Sequence, residues 1–213
     1  MRKSAFGISS TNSTRKPSAA SARLLEAAKL LLTKFAPDEI TTAMVLKEAE
    51  VARNTLYLHY ENQAALIEAA LLSVFLDGAK AHAAFLTESV RDSRNKQDFI
   101  KRARDLIKIS QDREFKNFRI ARCRLIAHAD KSMRFSKILG KEQSKLNEVF
   151  AKSFTMLQSK GWMTKDVSPE AAALFVQAMT FGRVIDDVSS RKIDEQSWDE
   201  AFIFIMKKTI LDD

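Results

Sequence analysis

The chain has 213 residues, of which 46% are hydrophobic and 29% are charged, with only five glycines and three prolines. This composition fits either one large globular domain or a small domain attached to a larger one, with ample apolar core. Because Ala, Leu, Lys, Glu and Arg abound, helix is favoured throughout and a sheet-based class is excluded. The composition therefore predicts an all-α protein.

The formal net charge of +8 and the pI near 9.6 permit a nucleic-acid partner without requiring one. The positive charge is concentrated in the middle of the chain, where residues 91–145 include 17 Lys/Arg against 7 Asp/Glu. A solvated basic face, nonspecific attraction to DNA, or an anionic ligand near Arg119, Arg122 and Arg124 would each account for it. The single cysteine, Cys123, excludes an internal disulfide and a Cys-based zinc site, which fits a reducing cytoplasm. No run of about 18 apolar residues is present, so no membrane partner is expected.

No catalytic chemistry is indicated. The HExxH, GxSxG, GxGxxG and phosphate-loop motifs are absent, and His59, His82 and His128 lack metal-ligand spacing. The neighbouring Asp186 and Asp187 would point about 100° apart on a helix, which does not suit a shared catalytic site. Cys123 and His128 are interpreted as structural. We expect no catalytic residue, no metal and no cofactor.

Residues 1–18 contain four basic residues and no acidic one, with many Ser, Thr and Asn. They are interpreted as a flexible basic tail, or as an arm that follows the DNA backbone or minor groove. Apolar residues then recur at helical spacing from Ala19 to Ala36, which predicts a first helix ending before Pro37.

The stretch from Ile40 to Leu66 predicts two short helices joined by a tight turn. Thr41 is a suitable N-cap for the first, the turn falls at residues 50–52, and Arg53–Tyr60 forms the second. The second helix has an apolar seam of Leu56 and Tyr60 beside a surface rich in hydrogen-bond donors. Such a helix suits a DNA major groove, with its first turn at base edges and its later residues at phosphates. The candidate DNA-binding residues are Thr41, Arg53, Asn54, Thr55, Tyr57, His59 and Tyr60. For Tyr57 and His59 simple exposure is an equal alternative, and packing also accounts for Tyr60.

Residues 24–70 resemble the N-terminal domain of the TetR family of transcriptional regulators. The resemblance rests on Thr41, on the turn AEVA at 49–52, on TLYLHY at 55–60 and on Leu66. Three positions depart from the family pattern, because Glu50 replaces Gly, Ala52 replaces a Ser N-cap, and Gln63 replaces a phosphate-binding Lys. A positive φ at Glu50 and the lost cap would each cost about 1 kcal/mol, and Gln63 cannot neutralise a phosphate.

Helical patterns continue to the end of the chain. Asn62 caps a long helix running to about Ser89, and further helices are predicted at 97–111 and 114–129. A short segment precedes Gly140, and a long helix then runs to about Gly161. Ser168 and Pro169 begin a helix that carries apolar residues to Val188, and a final helix begins after the polar loop SRKIDEQ. The predicted domains are the tail at 1–18, a helix-turn-helix domain at 19–66, and an effector-binding and dimerisation domain at 67–213.

Five consecutive apolar residues at 202–206 cover almost the whole circumference of the last helix, so one side needs a partner outside its own domain. The final two helices are therefore interpreted as half of a four-helix dimer interface. Its predicted residues are Phe175, Ala178, Gly182, Ile185, Phe202, Ile205 and Met206. Burial within one subunit is the alternative interpretation.

The resemblance implies a homodimeric, ligand-responsive regulator, most simply a repressor, whose paired recognition helices lie about 34 Å apart on double-stranded DNA. It also implies a small-molecule effector that enters the C-terminal domain and tilts the 62–89 helix. The predicted pocket residues are Phe99, Leu106, Phe118, Arg122, Phe150, Phe154 and Phe175, which suggests a largely hydrophobic effector with room for an acidic group. A helical adaptor module that keeps the fold without sequence-specific DNA binding is the rival hypothesis, motivated by Glu50, Ala52 and Gln63.

Overall fold

A computed structural model describes residues 18–109 and 113–211 of the chain. Within these ranges the secondary structure consists of ten helices without any strand, apart from an isolated bridge between Met163 and Leu211. The predicted all-α class is confirmed. The chain divides into two compact units, the first ending at Ala70 and the second beginning at Leu71. The tail predicted at 1–18 lies outside the described residues except for Ser18.

The first unit contains four helical segments, namely α1 (Ala19–Leu32), α2 (Thr42–Ala49), α3 (Arg53–His59) and the first turns of α4 (Gln63–Asp92). Side-chain oxygens cap three of them: Ser18 accepts from Ser21 N, Thr41 from Met44 N, and Asn62 from Ala65 N. The helices pack around fully buried apolar residues, namely Leu24, Ala28, Val45, Leu56 and Leu66. The caps predicted at Thr41 and Asn62 are confirmed.

Two predicted boundaries in the first unit differ slightly from the structure. The first helix ends at Leu32 and not at Ala36, because Lys34 N and Phe35 N both donate to the Leu31 carbonyl and turn the chain before Pro37. The third helix ends at His59, and Tyr60 is its extended C-cap residue with φ −132°.

The second unit contains the rest of α4 and six further helices: α5 (Lys96–Ile109), α6 (Arg113–Lys131), α7 (Met133–Ser159), α8 (Pro169–Gly182), α9 (Val184–Asp187) and α10 (Glu195–Thr209). Helix α7 packs against α6 and α8, α5 packs against α10, and α6 packs against α9. The most deeply buried large residues of the second unit are Val90, Leu125, Phe135, Phe154 and Leu157. None of the helices in the described ranges combines the length and apolarity needed to cross a bilayer.

Three predictions for the second unit are wrong in detail. The break predicted at Gly140 does not exist, and α7 runs straight through it. A Cβ at Gly140 would meet nothing within 4 Å, so this glycine costs only its propensity, about 1 kcal/mol. Burial of Phe135 before it and Leu146 after it on one continuous helix outweighs that cost. The helix predicted to continue to Val188 instead divides at Arg183 into α8 and α9, where the Asp186 N–H donates to the Arg183 carbonyl in a tighter turn. The last helix begins inside the predicted polar loop, because Asp194 caps it by accepting from Ser197 N at 2.8 Å.

Candidate DNA interface and candidate ligand cavity

The turn between α2 and α3 determines how α3 is presented. Glu50 ends α2 in the left-handed conformation, with φ 51° and ψ 48°, and its N–H donates to carbonyls of the last turn of α2. This is the conformation that glycine adopts most cheaply at a helix C-terminus, and a non-glycine residue pays about 1 kcal/mol for it. Leu56 is fully buried beneath the other side of α3. The turn and this anchor together hold α3 in one orientation.

The outward surface of α3 consists of Arg53, Asn54 and Leu58. The first two are exposed, and Leu58 is 79% exposed, the most exposed large apolar residue in the described chain. Because residues four apart share a helix face, Asn54 and Leu58 project together. Arg and Asn form bidentate hydrogen bonds to guanine and adenine edges, and an apolar side chain can contact the thymine methyl group. The sequence interpretation missed Leu58, because an exposed leucine has no polar signature.

The remaining predicted DNA-binding residues are already engaged within the first unit. Tyr57 is 48% exposed, and the Arg53 guanidinium lies 5.9 Å from the centroid of its ring. His59 Nε2 lies 3.0 Å from Ser18 Oγ, and the Tyr60 hydroxyl lies 3.4 Å from Ser21 Oγ. These contacts fasten the C-terminal end of α3 to the beginning of α1. The Thr41 hydroxyl caps α2, as described above, and Thr55 is half-buried.

The other two departures from the family pattern, at Ala52 and Gln63, also have visible consequences in the structure. Ala52 occupies the N-cap of α3 and makes no side-chain capping hydrogen bond, which leaves an orphan N–H of the first turn to solvent or to a ligand. Gln63 is used internally, since its amide donates to the Ile40 carbonyl and accepts from the Thr42 hydroxyl at 2.8 Å. Gln63 therefore ties the beginning of α4 to the beginning of α2.

The second unit contains a partly open cavity of about 110 Å³. Side chains from α4, α5, α6, α7, α8 and α10 line it, and nearly all of them are apolar. A dry apolar cavity of roughly 150 Å³ can hold a benzene molecule, so this space suits one aromatic ring or a short alkyl chain. Six of the predicted pocket residues belong to the lining: Phe99, Leu106, Phe118, Arg122, Phe150 and Phe154. Phe175 does not belong to it and is 37% exposed on α8.

Three polar lining residues were not predicted, namely His82, Gln177 and Thr180. The Thr180 hydroxyl donates to the Val176 carbonyl within its own helix. His82 Nδ1 lies 2.8 Å from the Gly78 carbonyl, and because a carbonyl can only accept, this nitrogen carries the proton. Burial lowers the pKa of His82, while its hydrogen bond to Gly78 opposes that change. His82 is therefore neutral near pH 7 and leaves Nε2 as an acceptor.

Phe118 lies between the cavity and helix α4. Its ring packs over the backbone of Gly78, where an added Cβ would lie 2.4 Å from Phe118 Cε2. Phe75 and His82 flank the same ring, with centroids 6.4 Å and 6.1 Å away. Glycine in the interior of a 30-residue helix is unfavourable by about 1 kcal/mol relative to alanine. Here it makes the room that Phe118 occupies.

The arginines that the sequence grouped together on α6 have different environments. Arg119 is buried, and its Nε and Nη2 donate to the two carboxylate oxygens of Asp187 at 2.6 Å and 2.8 Å. This hydrogen-bonded pair lowers the pKa of Asp187 and joins α6 to α9. Arg119 is thus a structural residue with a matched charge, while Arg124 is exposed.

Arg122 lines the cavity and forms no ion pair within the described ranges. Its guanidinium lies between two phenyl rings, 5.5 Å from the centroid of Phe75 and 5.0 Å from that of Phe181. Its one hydrogen bond there runs from Nη2 to Gln143 Oε1 at 3.2 Å. Burial lowers the pKa of Arg122, although a guanidinium stays protonated in proteins. A desolvated cation–π contact is worth about 2 kcal/mol, against a desolvation cost of several kcal/mol for the ion.

The residues predicted for the dimer interface fall into two groups. Phe175, Ala178 and Ile185 are exposed on α8 and α9, with Ile185 at 76%, and Gly182 and Ile205 are half-buried. Phe202 and Met206 are instead buried within the subunit and line the cavity, so the prediction for these two is corrected. The buried and exposed sides of α10 could not be told apart from helical periodicity, because both are apolar. Exposed residues that the prediction omitted are Leu174, Val188 and Phe204.

Cys123 and His128 have the structural surroundings expected of them. Cys123 is half-buried, and burial raises the pKa of its thiol, which disfavours the reactive thiolate. The His128 ring packs edge-on against Phe135, with centroids 5.3 Å apart. Asp186 and Asp187 are engaged separately, the first near Arg183 and the second with Arg119.

A small three-helix unit that presents an exposed, donor-bearing α3 defines the class of helix-turn-helix DNA-binding proteins. Residues 24–70 match the family model of the bacterial regulatory proteins of the TetR family. No curated protein matches the chain significantly in sequence.

Solved structures match the chain over nearly its whole length. A Mesorhizobium loti MAFF303099 protein assigned to the TetR-family transcriptional regulators has a TM-score of 0.73 at 16% identity, covering 93% of this chain and 100% of that chain. A protein assigned as a transcriptional regulator from Saccharomonospora viridis, solved with choline, has a TM-score of 0.69 at 12% identity, covering 91% and 98%. Salmonella enterica GusR has a TM-score of 0.68 at 18% identity, covering 92% and 98%.

At these identities the likeness is one of fold. Residues 24–70 of the first unit are similar to TetR-family DNA-binding domains, and the whole chain shares the fold of the solved structures named above.

Proposed function

We propose that the protein is a homodimeric transcriptional repressor that binds a pseudo-palindromic operator and is released by a small, largely hydrophobic effector. The observation that carries the proposal is the outward surface of α3, where Arg53 and Asn54 are exposed at the leading end of a helix anchored by Leu56. Side chains of these two types at that position suit base edges in a major groove. The cytoplasm is the expected location of such a regulator.

The dimer is supported by the apolar surface of α8, α9 and α10. Ile185, Val188 and Phe204 are 76%, 74% and 62% exposed, and exposed apolar surface of this extent marks interaction sites. A two-fold axis through this surface would bring α8 and α10 of both subunits together as a four-helix contact. Replacing Ile185 with Glu should then yield monomers in sedimentation experiments, whereas exposed Ile126→Glu on α6 should not.

The effector is supported by the cavity. Its apolar lining and small volume suit a ligand with an apolar body. The structural neighbour from Saccharomonospora viridis contains choline, which is a cation. The guanidinium of Arg122 in this cavity would repel a cation, so a ligand of that charge is not expected here. An effector that binds one orientation of α4 more tightly than another would shift the protein toward that orientation. The difference between its two affinities would set the change in affinity for DNA.

Selection of binding sites from random duplexes tests the DNA-binding function. We expect recovery of a pseudo-palindrome, and Arg53→Ala or Asn54→Ala should weaken its binding by about 1–3 kcal/mol, or roughly fivefold to 150-fold. Arg104→Ala, which removes an exposed arginine on α5, is the matched control and should leave affinity within about twofold of wild type.

A helical adaptor module without sequence-specific DNA binding is the second candidate. It is favoured by the internal use of Gln63 and by the absence of a capping side chain at Ala52. Binding that depends strongly on salt but recovers no preferred sequence would support the adaptor and contradict the regulator.

A further inference from the structure

We propose that the cavity recognises a small organic anion, a monocarboxylate carrying one aromatic ring or a short alkyl chain, through the guanidinium of Arg122. The inference rests on the proposed function, because it names the chemical class of the effector.

The charge of Arg122 has no match inside the protein as far as the chain is described. A guanidinium has five N–H donors, and Arg122 uses one of them, toward the neutral oxygen of Gln143. Three residues earlier on the same helix, Arg119 is buried with the carboxylate of Asp187 against two of its nitrogens. Cations withdrawn from water are normally paired with an anion. The half-buried Arg122, which lines the cavity, has no such partner in the described ranges.

The surroundings of Arg122 fix its orientation. The Gln143 amide nitrogen donates to Asn147 Oδ1 at 2.7 Å and to Gln177 Oε1 at 3.1 Å. Because both partners accept, the oxygen of Gln143 must be the atom that faces Arg122. The rings of Phe75 and Phe181 cover the guanidinium. A cation held in one plane with unused donors is prepared for a planar carboxylate, which a guanidinium can bind through two parallel hydrogen bonds.

The size and charge of the site narrow the ligand further. The cavity of about 110 Å³ accommodates a single ring or short chain. Arg122 supplies one positive charge, which matches a monocarboxylate and leaves the second charge of a phosphate monoester without a partner. The His82 ring packs edge-on against Phe115 of α6, with centroids 4.2 Å apart. Its neutral imidazole contributes the acceptor Nε2 to the cavity and no second positive charge.

Isothermal titration calorimetry of the full-length protein without DNA tests the assignment. The ligands are benzoate, benzamide and benzylamine, which are similar in size and are respectively anionic, neutral and cationic. We expect benzoate to bind at least about tenfold more tightly than benzamide, a difference of about 1.4 kcal/mol, with benzylamine weakest. Hexanoate should bind as benzoate does, and phenyl phosphate should bind more weakly than benzoate.

Variants then assign the selectivity to Arg122. In Arg122→Met the preference for benzoate over benzamide should fall to about one, and in Arg122→Lys it should be intermediate, because an ammonium keeps the charge without the planar fork. Arg124→Met, on the exposed side of the same helix, should keep the wild-type preference. The thermal transition of each variant is recorded to establish that it is folded.

The proposal is overturned if neither benzoate nor hexanoate binds at millimolar concentration, or if phenyl phosphate or benzylamine is preferred. An unchanged preference in Arg122→Met would also overturn it. These outcomes are separate from the proposed function, since they are measured without DNA. A protein that selects an operator but binds no carboxylate loses only the ligand assignment, and one that binds benzoate without selecting an operator loses only the regulator.

Discussion

The candidate DNA interface of the first unit and the cavity of the second are built in opposite ways. The interface is a continuous stretch of seven residues on one short helix, with its polar side chains toward solvent. The cavity draws its walls from six helices, and the residues that line it are apolar with a few polar exceptions. An exposed binding surface can therefore be formed by one short segment of sequence. A ligand cavity instead depends on the packing of residues that are far apart in sequence.

Charge also differs between the two regions. On α3 the guanidinium of Arg53 is exposed to water, where a charge costs little. On α6 of the second unit, Arg119 is buried and Arg122 is half-buried, so each needs an account of its charge. Arg119 is matched by Asp187 and holds α6 to α9, while Arg122 faces the cavity without a carboxylate in the described residues. The same residue type, three positions apart, stabilises the packing of α6 on α9 in one case and is proposed to recognise a ligand in the other.

The largest expected effect comes from breaking the matched pair. Arg119→Ala leaves the Asp187 carboxylate buried without its partner and should reduce the free energy of unfolding by about 3–5 kcal/mol. Both tryptophans, Trp162 and Trp198, belong to the second unit, so urea unfolding followed by their fluorescence measures this unit. Arg122→Met is the comparison and should stay within about 1 kcal/mol of wild type. Equal losses in the two variants would contradict the distinction between these arginines.

The stability of the same pair should depend on pH in one direction. Hydrogen bonding from Arg119 lowers the pKa of Asp187 in the folded protein below its value in the unfolded chain. Its contribution is therefore complete above about pH 4, the ordinary range of an aspartate, and is lost as the pH falls through the lower folded value. Asp187→Asn should lose less stability than wild type over this acidic interval in urea unfolding, and an identical slope would argue against the pair.

A smaller effect separates two helical glycines. Gly78→Ala should push Phe118 toward the cavity, costing about 1–3 kcal/mol in overpacking against a helix-propensity gain of about 1 kcal/mol. The same displacement should weaken benzoate binding. Gly140→Ala meets open space and should raise the stability by roughly 0.5–1 kcal/mol. Thermal unfolding measures the stability of both variants relative to wild type. If both substitutions stabilise the protein, Phe118 does not need the space at Gly78.

Relief of strain in the first unit should have an effect of about 1 kcal/mol. Glu50→Gly places a residue that tolerates φ 51° at the end of α2 and should raise the stability of this unit by about that amount. Tyr57 and Tyr60, the only tyrosines of the chain, both lie in this unit, so tyrosine emission in a variant lacking both tryptophans follows it. Glu48→Gly, inside α2, is the control and should destabilise the unit instead.

The smallest expected effect concerns Leu58. If its exposed side chain contacts a thymine methyl group, Leu58→Ala should cost about 1 kcal/mol, or a few-fold in affinity, and only on operators with thymine at one position. Leu30→Ala, another exposed leucine on α1, should leave all operators unaffected. Comparison of the base preferences selected by the two variants checks this, and a uniform loss across all sites would point to packing of α3 instead.

The amino-acid sequence by itself determined the helical class, most helix boundaries and the position of the short helix α3, whose contact with DNA stays a prediction. These features depend on neighbours in sequence: Thr41, Asn62 and Ser168 cap the N–H groups three positions on, and Leu56 falls where a short helix needs its buried contact. The positive φ at Glu50 was suggested only by the resemblance, in which glycine stands at this position.

Only the tertiary structure decided which apolar residues face inward and which arginine is paired. The two sides of α10 look alike in sequence, yet Phe202 and Met206 line the cavity while Phe204 is exposed. Arg119 differs from Arg122 because Asp187 lies 68 positions away along the chain and reaches only one of them. Pairing and burial are decided by contacts between helices distant in sequence, and helical periodicity carries no information about those contacts.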